Sequence, residues 1–305
     1  MIRFVPWALP ANIITLISNT FVYLGLYLSL HANIRHTATP LLIACCFILY
    51  LIGDHLDGMQ AKRTGTGSAL GEFCDHYLDA FNNGIVVYTM FNVFGIENGI
   101  MISGVIAISY LAHMAVFYEQ LKTGWLTFER IGSLEGVLIS ALLIALSSID
   151  MFYVAMTQRL IADYTVAEIF ILCSAVGALV TFFQTYKRTP MIENGYWLFG
   201  TFMLMIAVWL PFVLTSFETF IILTLYASLY IGRLMHAHLI DGRERQTDIV
   251  IPALLVLHYV TSSPAQNYLF MLLAGYLLAT IMVLIVQTFS TLGIYWVWQN
   301  VKPGS

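Results

Sequence analysis

The stretch that decides the fold runs from Gly53 to Phe81 and reads GDHLDGMQAKRTGTGSALGEFCDHYLDAF. It belongs to a chain of 305 residues that is 59% hydrophobic and only 10% charged. Soluble domains are about 25% charged and less than half apolar, so this composition predicts a membrane protein. The carboxylates that this stretch gathers are Asp54, Asp57, Glu72, Asp75 and Asp79. Any function assigned to the chain has to explain why they stand together.

Apolar runs flank the acidic stretch on both sides, and a helix needs about 20 apolar residues to cross a bilayer. We therefore expect an all-α fold, a polytopic transmembrane bundle of about ten helices. The predicted spans are 12–31, 39–58, 72–94, 99–121, 134–156, 165–186, 196–215, 217–239, 247–262 and 267–292. We expect one integral membrane domain over 1–305, with catalytic-core helices in 1–190 that include a metal and nucleotide motif at 54–79, and C-terminal helices in 191–305.

Lysine and arginine favour cytoplasmic loops, and their distribution predicts the orientation of the chain. If the N-terminus is cytoplasmic, only Arg35 and Arg159 fall outside. The basic residues that then fall inside are Arg3, Lys62, Arg63, Lys122, Arg130, Lys187, Arg188, Arg243, Arg245 and Lys302. This places both termini and the acidic stretch on the cytoplasmic side. The net charge of -4 gives no reason to expect a nucleic-acid partner. The N-terminal run lacks a small-residue cleavage pattern, so we expect no signal peptide.

The carboxylates fall into two pairs with helical spacing. Asp54 and Asp57 are three residues apart on the second predicted helix, and Asp75 and Asp79 are four apart on the third. Each pair shares one helical face, and the short connection makes the two helices antiparallel neighbours. Carboxylates so close at membrane depth are costly unless a cation neutralises them. We predict that these four aspartates bind two Mg²⁺ or Mn²⁺ ions, which could clamp a diphosphate. A solvated acidic helix end and a divalent metal carrier are the alternatives.

Small and basic residues stand beside the aspartates. Gly58 and Gly71 would let a ligand or a neighbouring helix approach the backbone. Lys62 and Arg63 are cations next to an acidic site, and they could bind phosphate oxygens that the metals leave free. These residues are candidates for substrate binding.

The order of these residues resembles the signature of the CDP-alcohol phosphotransferase family. In this chain it is Asp54-x-x-Asp57-Gly58-x-x-Ala61-Lys62, then eight residues, then Gly71-x-x-x-Asp75-x-x-x-Asp79. The family usually has arginine at the position of Lys62, so the bidentate fork is lost here. Either Lys62 binds phosphate as a point charge or Arg63 partly replaces the fork.

The resemblance implies a reaction, a site and an assembly. A phosphoalcohol passes from a CDP-alcohol to a hydroxyl acceptor and CMP is released. The four aspartates bind two divalent ions that hold the pyrophosphate, and the positions of Gly58 and Ala61 make room for the cytidine nucleotide. A homodimer is also implied.

Three further segments are similar to the choline and ethanolamine phosphotransferase branch of that family: 6–19, 117–140 and 233–255. In the first, Asn12 could reach the nucleotide, or it could cap the start of a helix. In the second, Glu135 could face the headgroup cation or orient a general base. A solvated helix N-terminus is the alternative for Glu135.

His76 follows the third aspartate, as in that branch, and lies three residues before Asp79. An unperturbed histidine has a pKa of about 6.5, which suits a general base that accepts the proton of an acceptor hydroxyl. Asp79 is the rival base. A histidine that only hydrogen-bonds beside the metal site is the third possibility.

The sequence thus predicts Mg²⁺-dependent transfer of phosphocholine or phosphoethanolamine from CDP-choline or CDP-ethanolamine to diacylglycerol in the membrane. One alternative within the family uses CDP-diacylglycerol and a small alcohol such as inositol or glycerol phosphate. Outside it stand a divalent metal carrier and a lipid-binding scaffold that lost catalysis.

Overall fold

The computed structural model describes residues 2–127, 132–261 and 266–293. Helices make up most of this part of the chain. The α-helices are α1 (Ala11–His31), α2 (Ala38–Thr64), α3 (Ala69–Val93), α4 (Gly99–Thr123), α5 (Ser133–Leu146), α6 (Asp150–Thr157), α7 (Val166–Arg188), α8 (Asn194–Trp209), α9 (Ser216–Ile240), α10 (Val250–Thr261) and α11 (Gln266–Leu292). Two 3₁₀ turns (Ile2–Phe4, Leu210–Phe212) and two short strands, β1 (Arg159–Ile161) and β2 (Tyr164–Thr165), complete the described elements. The predicted all-α fold is confirmed.

Seven of the described helices are long and apolar enough to cross a membrane, which confirms a polytopic membrane protein. Three of the ten predicted spans have no match among these seven helices, namely 72–94, 134–156 and 247–262. The helix α3 is long enough at 25 residues, but polar side chains such as His76, Asp79 and Asn82 lower its hydropathy. The helix α10 has 12 residues. The basic residues Arg130 and Lys302, which supported the predicted orientation, lie outside the described residues.

The continuous helix predicted over 134–156 is wrong. The chain bends by 115° between α5 and α6, and the pair counts as an eighth span only if the two pieces are taken together. The break follows Ser147 and Ser148, whose hydroxyls donate to the carbonyls of Ile144 and Ala145 at 2.7 Å. Serine hydroxyls that bond to the preceding turn compete with the helical ladder. Ile149 then leaves the helix with extended backbone angles.

The second helix is longer than predicted, so the end of α2 carries more of the motif at 54–79 than expected. α2 continues to Thr64, so the connection between the spans predicted at 39–58 and 72–94 shrinks to Gly65–Ser68. Gly65 ends α2 in the left-handed region, at a φ of 66°, where glycine is favoured. Ser68 then caps α3 by accepting a hydrogen bond from the backbone N–H of Gly71 at 3.1 Å.

The chain divides into two compact units, and the described residues of each unit come from more than one segment of the chain. The first draws on Met1–Gly95, Arg130–Leu160 and Thr288–Ser305, and the second on Ile96–Glu129 and Ile161–Gln287. These boundaries differ from a division near residue 190, and the expected assignment of a catalytic core to 1–190 stays a prediction.

In the first unit, α1 packs against both α2 and α3, and α5 packs against α2. The backbones of α2 and α3 make few close contacts with each other, so it is their side chains that meet. This spacing leaves room between two acidic faces. In the second unit, α4 packs against α7, α8 and α9 around a core that includes Tyr110 and Phe199.

Gly53 lets α1 and α2 approach closely. A Cβ placed there would overlap the Cβ of Ser18 and lie 3.4 Å from its Cα, so only a backbone shift could relieve the clash. We expect Gly53→Ala to lower the free energy of unfolding by about 1–3 kcal/mol, since overpacking strains a close helix contact. Thermal unfolding in detergent checks this. The matched control is Gly177→Ala on α7, where no atom lies within 4 Å of the added methyl group. A melting temperature of Gly53→Ala equal to that of the control would contradict the prediction.

Candidate active site

Three of the four predicted metal ligands meet between α2 and α3. Asp54, Asp75 and Asp79 each offer one oxygen, and these oxygens all lie within 4.8 Å of one another. All three side chains are half-buried. Oxygens that bind one Mg²⁺ lie about 2.1 Å from the ion, so ligands on opposite sides of it are separated by about 4 Å. Small rotations of these side chains would therefore bring the three oxygens onto one ion.

The carboxylate of Asp75 provides the test of whether a cation fits. Its Oδ1 is buried and has no hydrogen-bond partner among the described residues. A buried carboxylate oxygen without a donor is unfavourable, and a nearby cation removes that cost. The donor set consists of carboxylate oxygens, which hard divalent ions prefer. The residues present therefore fit Mg²⁺ or Mn²⁺, and Asp54, Asp75 and Asp79 would hold it.

Two side chains donate hydrogen bonds to the carboxylate of Asp79. The hydroxyl of Tyr50 donates to Asp79 Oδ1 at 2.6 Å, and the Asn82 amide donates to the same oxygen at 3.3 Å. Neither donor stood out in the sequence. A tyrosine one turn before Asp54 and an asparagine three residues after Asp79 were the only signals.

Asp57 lies outside the group of three. It is 4% exposed, and its Oδ2 accepts a hydrogen bond of 2.6 Å from the hydroxyl of Thr15 on α1. The structure thus ties Asp57 to α1 and leaves its role as a fourth metal ligand a prediction.

An open cleft of about 750 Å³ runs along the last turns of α2. Its lining residues are Asp54, His55, Gly58, Met59, Ala61, Lys62, Gly65 and Gly67. No atom lies within 4 Å of where a Cβ of Gly58 would be, so this glycine keeps the cleft open. The predicted substrate residues Gly58, Ala61 and Lys62 thus share a surface with Asp54, a predicted metal ligand.

Gly71 and Asn12 meet at the start of α3. A Cβ on Gly71 would lie 3.2 Å from Asn12 Oδ1 and 3.3 Å from the hydroxyl of Ser68. The glycine therefore allows the side chain of Asn12 on α1 to approach the start of α3 closely. The structure does not place Gly71 or Asn12 in the lining of the cleft, and their contact with a substrate stays a prediction.

The structure separates the two adjacent cations. Lys62 lines the cleft, whereas Arg63 donates to the carbonyls of Ile2 at 2.6 Å and Val5 at 2.8 Å. Its guanidinium also lies 4.8 Å from the ring centroid of Trp7. Arg63 therefore anchors the N-terminal segment, and the structure does not place it beside Lys62 as a phosphate ligand.

Gln60 also anchors the N-terminal segment, as Arg63 does, and sequence reasoning did not predict this role for Gln60. This residue is fully buried, and its amide donates to the carbonyl of Leu9 at 2.7 Å and to that of Pro6 at 3.1 Å. Its partners are more than 50 residues away in the chain, so no local pattern could reveal them.

His76 lies beside the three-aspartate group of Asp54, Asp75 and Asp79. Its Nδ1 is 3.9 Å from Asp75 Oδ2, and its side chain is 24% exposed. Its role as a general base stays a prediction. Glu135 has a structural contact instead: its Oε2 accepts a hydrogen bond of 2.8 Å from the backbone of Gly132. It caps the N-terminus of α5, as the structural alternative expected, and an effect on His76 stays a prediction.

Residues 8–157 match the family described as CDP-alcohol phosphatidyltransferase. The chain carries a domain of this family. The match covers α1 to α6 and contains the three-aspartate group and the cleft. The family resemblance seen in the spacing of the aspartates is thereby confirmed.

Curated relatives are about 30% identical to this chain. One is an uncharacterized CDP-alcohol phosphatidyltransferase class-I family protein of Schizosaccharomyces pombe, 30% identical over 49% of this chain and 40% of the relative. Another is choline/ethanolaminephosphotransferase 1 of Saccharomyces cerevisiae, 30% identical over 48% of this chain and 39% of the relative. A third is CDP-diacylglycerol–serine O-phosphatidyltransferase of Encephalitozoon cuniculi, 31% identical over 46% of this chain and 38% of the relative. The chain thus matches about two fifths of the length of each relative.

Proposed function

We propose that this chain transfers phosphocholine or phosphoethanolamine from CDP-choline or CDP-ethanolamine to diacylglycerol, releases CMP, and requires Mg²⁺ or Mn²⁺. The observation that carries the proposal is the group of three aspartate oxygens within 4.8 Å of one another. One member of the group, Asp54, lines a cleft together with Gly58, Ala61 and Lys62. A diphosphate needs cations on its oxygens and open space for its nucleotide, and this surface offers both.

Bound divalent ions would neutralise the diphosphate and stabilise the oxygen that leaves with CMP. The residues of the chain do the rest. Lys62 binds phosphate oxygens from the cleft, while Gly58 and Ala61 leave space for the cytidine. His76 takes the proton of the acceptor hydroxyl, and that oxygen bonds to the β-phosphorus as the bond from phosphorus to the CMP oxygen breaks.

His76 is the better candidate for the base. Asp79 already accepts hydrogen bonds from Tyr50 and Asn82 and belongs to the metal group. An oxygen that serves donors or a cation is a weak proton acceptor. His76 is partly exposed next to Asp75 and lies outside the three-aspartate group, so it does not have to bind the ion.

The similarity of three segments to the choline and ethanolamine branch supports the choice of donor, together with the printed name of the yeast relative. A second candidate has support as well, because another relative is named as a CDP-diacylglycerol–serine transferase. In that reaction CDP-diacylglycerol would be the donor and a small alcohol the acceptor. Inositol or glycerol phosphate could take the place of serine.

Orientation and assembly belong to the proposal. We place the site and both termini on the cytoplasmic side, because lysine and arginine favour that side. The acceptor lipid enters from the bilayer, and the active form is a homodimer, as the family resemblance implies.

The test uses the purified chain in micelles that contain diacylglycerol and Mg²⁺. Radiolabelled CDP-choline and CDP-ethanolamine are supplied separately, and label in lipid is followed together with CMP release. Parallel reactions contain CDP-diacylglycerol with labelled serine, inositol or glycerol phosphate. Lipid formed from a CDP-alcohol and lost on chelation supports the proposal, whereas lipid formed only from CDP-diacylglycerol selects the second candidate. Metal uptake into vesicles without any CMP release would favour the carrier.

We expect the two adjacent cations to respond differently to alanine. Lys62→Ala should raise the KM of the CDP-alcohol roughly 10- to 100-fold, because a charge-assisted hydrogen bond contributes about 1.5–3 kcal/mol. Arg63→Ala should instead speed amide exchange at residues 2–9, since the chain segment loses its two donors. Steady-state kinetics and hydrogen exchange are measured on both variants, so each variant is the control for the other. A large rise in KM for Arg63→Ala with unchanged exchange would reverse the assignment.

A further inference from the structure

The carboxylate of Asp79 is held by side chains from two helices. Tyr50 on α2 and Asn82 on α3 both donate to Oδ1, at 2.6 Å and 3.3 Å. Both donors are buried, with 5% and 2% of their surface exposed. Buried polar groups inside apolar helices are costly unless they are hydrogen-bonded. Because Tyr50 and Asn82 both donate to this one oxygen, they do more than fill space between the helices.

Asn82 is itself oriented by α1. Its Nδ2 lies 2.6 Å from Asn19 Oδ1, and the Asn19 amide donates to the carbonyl of Thr15 at 2.8 Å. Because Nδ2 serves both Asn19 and Asp79, its N–H groups point toward both acceptors. A hydrogen-bonded path thus runs from the backbone of α1 through two amides to the metal group.

We propose that Tyr50 and Asn82 are positioning residues that fix the carboxylate of Asp79 for the divalent ion. The inference rests on the proposed function, since it concerns the same site. Three carboxylates within 4.8 Å repel one another before an ion arrives, and repulsion favours rotamers that turn the oxygens apart. Two donors on Asp79 oppose that rotation, and they leave the carboxylate ready to bind when the ion enters.

The test measures Mn²⁺ binding without substrate. Free Mn²⁺ is counted by electron paramagnetic resonance in titrations of the purified full chain. Tyr50→Phe and Asn82→Leu remove the donors while keeping the approximate shape of each side chain. We expect each to raise the apparent Kd for Mn²⁺ roughly 10- to 100-fold, the usual effect of losing a partner of a metal ligand. At saturating metal, turnover and the KM of the nucleotide should return to within a few fold of the wild-type values.

The control is Tyr23→Phe, which removes a hydroxyl from the exposed side of α1 and should leave the Kd unchanged. The two test variants lie on different helices, so a folding defect in one leaves the other to decide. Wild-type affinity in a folded Tyr50→Phe or Asn82→Leu protein would overturn the inference alone. Failure of the wild-type chain to bind Mn²⁺ would overturn the proposed function and the inference with it.

Discussion

Replacing Asp75 with asparagine should lower transferase turnover roughly 10²–10³-fold and at the same time raise the melting temperature of the metal-free protein. Turnover falls because charge stabilisation at a reacting phosphate contributes factors of about 10²–10³ for each group lost. Stability rises because the new amide would carry no charge beside Asp54 and Asp79, whereas the carboxylate of Asp75 repels them when no cation is bound. The two measurements are lipid formation at saturating Mg²⁺ and thermal unfolding in the presence of a chelator.

The response of thermal stability to added metal should also differ between the wild-type protein and Asp75→Asn. Wild-type protein should gain thermal stability as Mg²⁺ or Mn²⁺ is added, since an ion that binds only the folded state stabilises it. Asp75→Asn should gain much less. The control is Asp150→Asn, the same change at an exposed carboxylate that pairs with Arg35. Exposed pairs contribute little, so this variant should keep turnover and metal response. An Asp75→Asn protein with wild-type turnover would refute the metal site.

Replacing His76 with alanine should lower kcat by roughly 10²–10⁴-fold, the usual contribution of a general base. Because His76 is outside the three-aspartate group, Mn²⁺ affinity and the KM of the CDP-alcohol should stay within a few fold of wild type. Single-turnover kinetics with bound donor and metal isolate the chemical step. The control is His31→Ala at the exposed end of α1, which should leave kcat unchanged. Unchanged kcat in His76→Ala would transfer the role of base to Asp79.

Glu135→Gln separates the two roles of that carboxylate. Glutamine can still accept the hydrogen bond from Gly132, so capping of α5 is retained. If Glu135 only caps, turnover should not change. A fall in kcat like that of His76→Ala, with unchanged thermal stability, would show that Glu135 orients the base.

The fold class and the helix positions followed from local properties of the chain. Apolar runs of sufficient length predict helices, and the observed α1, α4 and α9 begin and end within two residues of their predicted spans. The failure at 134–156 was also local in origin, since two serine hydroxyls bond to the preceding turn at the break. Serine is tolerated in many continuous membrane helices, so its presence alone did not predict a bend.

The sequence by itself determined the composition of the site, because helical spacing puts Asp75 and Asp79 on one face of a single helix. Only the tertiary structure decided which groups face the cleft and which face protein. Lys62 lines the cleft while its neighbour Arg63 binds the backbone of residues 2–5, and Asp57 turns to Thr15. The physical reason is that periodicity fixes directions within one helix, whereas the partner on each side comes from helices far away in the chain.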